Sequence, residues 1–80
     1  MTYRYREMRK TYRRCVLRHI KAFKHNPHEA DFFLLVEELS EYMGYALAND
    51  DYSTYNAVAR LRCNIVREYY RHTVDVHIYA

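Results

Sequence analysis

Eighty residues weighing 9.9 kDa, half of them apolar and 29% charged, describe one small domain. A chain of that size buries about 60% of its unfolded surface, which leaves little room for a catalytic cleft and points away from an enzyme. Ten tyrosines and three phenylalanines beside one glycine and one proline are the composition of a packed chain rather than a disordered one.

The net charge of +3 divides unevenly along the chain. Residues 1–25 carry nine cations against Glu7 alone, a net of +8. Residues 26–53 carry seven acids and no Lys or Arg, a net of −7. Residues 54–80 carry four arginines against Glu68 and Asp75, a net of +2. Segment asymmetry of this kind implies either internal pairing or an outward electrostatic role.

Breaks fall at the same places. Asn26-Pro27-His28-Glu29 has a cap residue, a proline at the first helical position and an acid after it, so one helix should end near His25 and another begin at Pro27. Asn49-Asp50-Asp51 is the second break. The expected architecture is all-α, a small three-helix bundle in a single domain over 1–80. Its helices span about 3–25, 27–48 and 52–72, with a tail over 73–80.

Spacing at about 100° per residue gives each helix an apolar arc. The first has Tyr5, Met8, Tyr12, Cys15, Val16, His19 and Phe23. Across from them stand Arg6, Arg9, Lys10, Arg13, Arg14, Lys21 and Lys24, with Leu17 an apolar exception inside the basic arc. The second has Phe32, Phe33, Leu35, Val36, Leu39, Tyr42, Met43, Ala46 and Leu47 opposite Asp31, Glu37, Glu38 and Glu41. The third has Tyr52, Tyr55, Val58, Ala59, Ile65, Val66, Tyr69 and Tyr70. Arg62 intrudes into that last arc, where it needs a carboxylate (Glu37, Glu38 or Glu41), water or a partner.

After His72 the sequence Thr73-Val74-Asp75-Val76-His77-Ile78-Tyr79 alternates with the period of a strand. Three readings stay open: a ribbon with Tyr3-Arg4-Tyr5-Arg6, a tail lying on the helices, or strand addition to a partner.

The basic arc is the strongest functional signal. If it only neutralised the second helix, its outward cations would be superfluous, because surface pairs contribute about 0–1 kcal/mol each. An arginine-rich stripe fits contacts to DNA or RNA phosphates, or to an acidic protein surface. The candidate anion-binding residues are Arg6, Arg9, Lys10, Arg13, Arg14, Lys21 and Lys24. Reading of base sequence is not expected, since the basic helix comes first and no recognition helix follows a tight turn. Candidate partner contacts are Leu17, Tyr69, Tyr70, Val74, Val76 and Ile78. Tyrosine offers rigid area with a polar tip at interfaces, and equally fits a core too small to cover its large residues.

Other chemistry is sparse. Cys15 and His19, with Cys63, lack a fourth ligand and a polar shell, so they read as core residues rather than a metal site. The acids of the second helix read as a solvated face, and no glycine-rich phosphate loop is present. No metal, cofactor or small-molecule substrate is expected. Cys15 and Cys63 form no CxxC pair, MTYRYREMRK lacks the apolar core of a secretory signal, and no run reaches about 18 apolar residues. A cytoplasmic location with reduced thiols is the expectation.

The opening MTYRYREMRKTYRRCVLRHIKAFKHNP, with the length and basic balance of the whole chain, resembles the small corepressor proteins of temperate phages, the Lxc or Bof type. It is similar, more distantly, to the phage and plasmid modulators of nucleoid proteins. The first resemblance implies a non-enzymatic protein that binds a DNA-binding repressor and strengthens its hold on operator DNA. On that view the basic helix touches phosphates, while the tyrosines or the C-terminal segment grip the repressor. The alternative is a small inhibitor that masks an acidic surface of a host or enzyme target, and a third reading is a homodimer through the tyrosine-rich face.

Overall fold

Each helix begins where a short polar side chain takes up an N–H that the first turn leaves unpaired. Thr2 Oγ1 accepts from Tyr5 N–H at 3.2 Å, Asp31 Oδ1 from Leu34 N–H at 3.0 Å, and Asp51 Oδ1 from Thr54 N–H at 3.2 Å. The helices that follow are α1 (Tyr3–His25), α2 (Phe32–Ala48) and α3 (Tyr52–Tyr79). The computed structural model describes residues 2–26 and 31–79, with side chains as far as Arg71. Among the described residues there is no strand, and the fold is an all-α three-helix bundle. No helix among them is long and apolar enough to cross a membrane.

α2 ends in a tight reversal. Asp50 stands in the left-handed region at φ 59°, its N–H donates to Leu47 O at 3.1 Å, and Asp51 N–H donates to Ala46 O at 2.9 Å. Those two bonds are the Schellman pattern, which satisfies carbonyls that the last helical turn leaves open. The next residue but one is already in α3, so a single short turn both closes α2 and opens its antiparallel neighbour.

α2 is the shared element. Tyr5 meets Tyr45, Tyr12 meets Tyr42, and Phe23 meets Phe32, so α1 and α2 run antiparallel. Phe32 stacks on Tyr69 with ring centres 3.8 Å apart, at the far end of the α2–α3 pair. Val16, Ile20 and Phe23 of α1, Phe32, Leu35, Leu39 and Tyr42 of α2, and Val58 and Ile65 of α3 form one core. The bundle is elongated, 51 × 19 × 14 Å, because α3 continues for ten residues past the level of Tyr69.

Two boundaries differ from the sequence-based expectation, the start of α2 and the end of α3. α2 starts at Phe32 behind the Asp31 cap, not at Pro27; the Pro27-His28-Glu29 part of the expected start lies outside the described residues. Asn26 instead ends α1, donating its N–H to Ala22 O at 3.0 Å. α3 does not stop at His72 but runs to Tyr79, so the β-like segment over 73–79 is helical. Tyr3–Arg6, the supposed ribbon partner, belongs to α1. The physical reason is that a lone strand has no ladder to satisfy its backbone, whereas continuing a helix adds one hydrogen bond per residue, and no Gly or Pro interrupts α3.

Several expected core positions face out: Phe33, Leu47, Tyr52 and Tyr70 are exposed, while Ile20, outside the expected arc, is buried. Gly44 lies mid-helix on the outer side of α2, where an added Cβ would meet nothing within 4 Å. Gly44→Ala should therefore raise stability by about 0.5–1 kcal/mol. Asp50→Gly should add a similar amount of about 0.5–1 kcal/mol by relieving the left-handed backbone. Urea denaturation measures both, and a loss of stability in Asp50→Gly would contradict the turn described above.

Candidate nucleic-acid interface

Arg6, Lys10, Arg13, Arg14, Lys21 and Lys24 recur at spacings of three, four and seven residues, which keeps them on one side of α1. The stripe from residue 6 to 24 covers about 27 Å at 1.5 Å per residue. All six side chains are exposed. Lys10 is held 3.3 Å from Glu7 on the same helix. Among the described residues Arg6, Arg13, Arg14, Lys21 and Lys24 make no ion pair. Among the described residues no ion pair joins an acid of α2 to this stripe, and His19 Nδ1 meets Glu38 Oε2 on the opposite edge of α1.

Arg9 does not belong to the stripe. It stands seven and eleven residues before the buried Val16 and Ile20, two and three turns away on the same face. Its guanidinium donates to Asp51 Oδ2 at 3.0 Å and lies 5.7 Å from the centre of the Tyr5 ring. The expectation that Arg9 points away from the bundle is thus corrected, and the helical period alone could have shown it.

Asp51 is 3% exposed, and its carboxylate joins two helices. Besides Thr54 N–H and Arg9 it accepts the Tyr5 phenol O–H at 2.7 Å. Bonding from the Thr54 side chain does most to hold this carboxyl well below its ordinary range; burial opposes that, and Tyr5, the Thr54 backbone and Arg9 reinforce it. The Tyr5 hydroxyl is pushed up to about 12, first by burial and then by its bond to Asp51. Burial also raises the Tyr42 hydroxyl, against the pull of the Arg9 and Arg13 charges nearby.

Four tyrosines form a seam within the bundle. Tyr5, Tyr45, Tyr12 and Tyr42 stand in sequence between α1 and α2, with successive ring centres 5.4, 5.7 and 5.4 Å apart. Tyr69 is occupied by its stack on Phe32. Of the candidate partner contacts, Leu17 and Tyr70 are exposed, at 55% and 59%. Val74, Val76 and Ile78 lie in the last turns of α3.

Two further expectations change. Cys63 is exposed rather than core, whereas Cys15 is half-buried, and both thiols are free. Arg62 makes no ion pair with Glu37, Glu38 or Glu41, and its Nε is buried without a hydrogen-bond partner among the described residues. No cluster of three metal-ligating side chains occurs among the described residues. The chain matches no family model, no curated protein and no solved structure.

The Asp51 junction has a pH signature. A carboxyl whose folded value is depressed contributes stability in full above its ordinary value of 3.8 and loses it as pH falls below that. Asp51→Asn should cost about 2–4 kcal/mol at neutral pH, where it leaves Arg9 without its anion. The gap to the unsubstituted chain should narrow steadily in thermal melts taken below pH 3.8; a gap independent of pH would contradict the network. Tyr5 behaves in the opposite sense: its contribution is present below the ordinary value of 10.0 and is lost as pH rises towards about 12. Tyr5→Phe should cost about 1–2 kcal/mol at neutral pH and remove that alkaline loss.

Proposed function

We propose that this protein is a non-enzymatic accessory to a DNA-binding protein, a corepressor in character, acting in the cytoplasm. Its first helix would lie along DNA phosphates while other surfaces hold the protein partner. The observation that carries this reading is the straight, exposed row Arg6, Lys10, Arg13, Arg14, Lys21 and Lys24, five of whose six members have no acid among the described residues. A row of such length costs self-repulsion and returns nothing to the fold, so an external polyanion is its natural counterpart. Arginine and lysine contacts to phosphate position a protein on a duplex without reading its sequence. That division suits an accessory, which borrows specificity from its partner. Exposed Leu17 and Tyr70 provide apolar area for a protein contact.

Fluorescence anisotropy with a short DNA duplex over a salt series tests the reading. Each phosphate neutralised contributes about 0.9 to the slope of log affinity against log salt, so reversing Arg14, Lys21 and Lys24 to glutamate should flatten the slope by about 2–3. An unchanged slope would rule out the phosphate contacts. Affinity capture of the protein's partners with and without nuclease then separates the two main readings. Capture of a DNA-binding protein that weakens on nuclease treatment fits the corepressor, whereas capture of an acidic protein indifferent to nuclease favours an inhibitor.

A further inference from the structure

α1 and α3 are parallel neighbours whose side chains share the core while their backbones stay apart beyond the Asp51 junction. Both rest on α2. The space between them is an open groove of about 500 Å³. Val16, Tyr42 and Val58 form its floor, Leu17 and Leu61 flank it, and Ala57 leaves its α3 wall low. Arg9, Lys10 and Arg13 line the α1 side, and among the described residues no acidic side chain lines the groove.

We infer that this groove receives an amphipathic helix of a partner protein, one that carries acidic residues along the edge facing α1. Three observations select that occupant. Its α1 wall, from Arg9 to Leu17, is about 12 Å long, which is two turns of a helix laid alongside. The floor is apolar and the wall cationic on one side alone, so apolar anchors at i and i+4 would go down while carboxylates meet Lys10 and Arg13. Leu17, exposed in the middle of a basic stripe, would be covered by such a helix. In effect the partner supplies the fourth helix of a bundle that this chain leaves at three.

Other occupants fit less well. A DNA duplex can meet the cations but offers nothing to cover Val16, Val58 and Leu61. A second copy of this chain has acids on α2, at Glu37 and Glu41, yet neither lines the groove, and Glu41 borders a different hollow with Met8 and Cys15 of α1. The inference does not rest on the DNA reading. Arg14, Lys21 and Lys24 do not line the groove and stay available to phosphate whichever way it is filled.

A displayed library of helical peptides tests it, with leucine at i, i+4 and i+7 and flanking positions varied among Glu, Lys and Ser. The full chain is the bait, and Ala57→Trp, which fills the groove from an exposed position, is the control. Selected peptides should carry glutamate on one flank, bind Ala57→Trp at least tenfold more weakly, and shift the amide resonances of residues 54–61 and 9–17. Arg13→Glu should weaken the same peptides about tenfold while melting like the unsubstituted chain, since its side chain is exposed. Failure to select a groove binder, selection without acidic bias, or equal binding to Ala57→Trp would each overturn the proposal. So would self-association or duplex binding that shifts the groove residues. The triple reversal of Arg14, Lys21 and Lys24 should leave peptide affinity within about twofold, which keeps this outcome separate from that of the phosphate contacts.

Discussion

One buried carboxylate holds the ends of three helices. Asp51 follows the turn that closes α2, donates its own N–H back to Ala46, caps α3 through Thr54, and takes Tyr5 and Arg9 from α1. A charge at 3% exposure would be ruinous alone, and here each of its oxygens has donors. Because the backbones of α1 and α3 do not approach each other directly, this junction helps to set their spacing at one end. The spacing in turn leaves the groove open between them.

The rest of the bundle uses side chains with polar tips for much the same purpose. The α1–α2 seam is built from Tyr5, Tyr45, Tyr12 and Tyr42 and then continues to Phe23 on Phe32. Rings of this size bury large areas per residue, which suits a chain too short for several aliphatic layers. Tyrosine also lets the seam end at its edges in hydroxyls rather than in stranded apolar carbon. α1 is consequently divided into three sectors: one facing the tyrosine seam and core, one facing the groove, and one carrying the outward cations. The two outer sectors meet at Lys10 and Arg13, so a groove-bound helix and a phosphate backbone would be neighbours on the protein.

Much of the architecture was legible from periodicity and breaks. Thr2, Asp31 and Asp51 are short polar residues ahead of apolar runs, and the exposed row on α1 follows from its three- and four-residue spacing. The errors have identifiable causes. Asp31 prevailed over Asn26-Pro27 as the start of α2 because a carboxylate one residue before Phe32 caps the helix directly. The alternation after His72 suggested a strand, but period two needs a neighbouring strand and α3 offers none. Charge alone groups Arg9 with the other cations, whereas its position on the helix places it with Val16 and Ile20. Of the options open to Arg62, no ion pair with an acid of α2 forms among the described residues, and Glu38 meets His19 instead.

By itself, the sequence determined the helical class, the three-element order and the charged exterior of α1, since these depend on local spacing and on caps within a few residues. It could not determine which tyrosines face inward, which carboxylate takes up Arg9, or that a groove lies beside Leu17. Those features depend on how far apart two parallel helices stand on a third. The tertiary structure decides that distance, through contacts such as Tyr5 to Asp51 that join residues 46 positions apart.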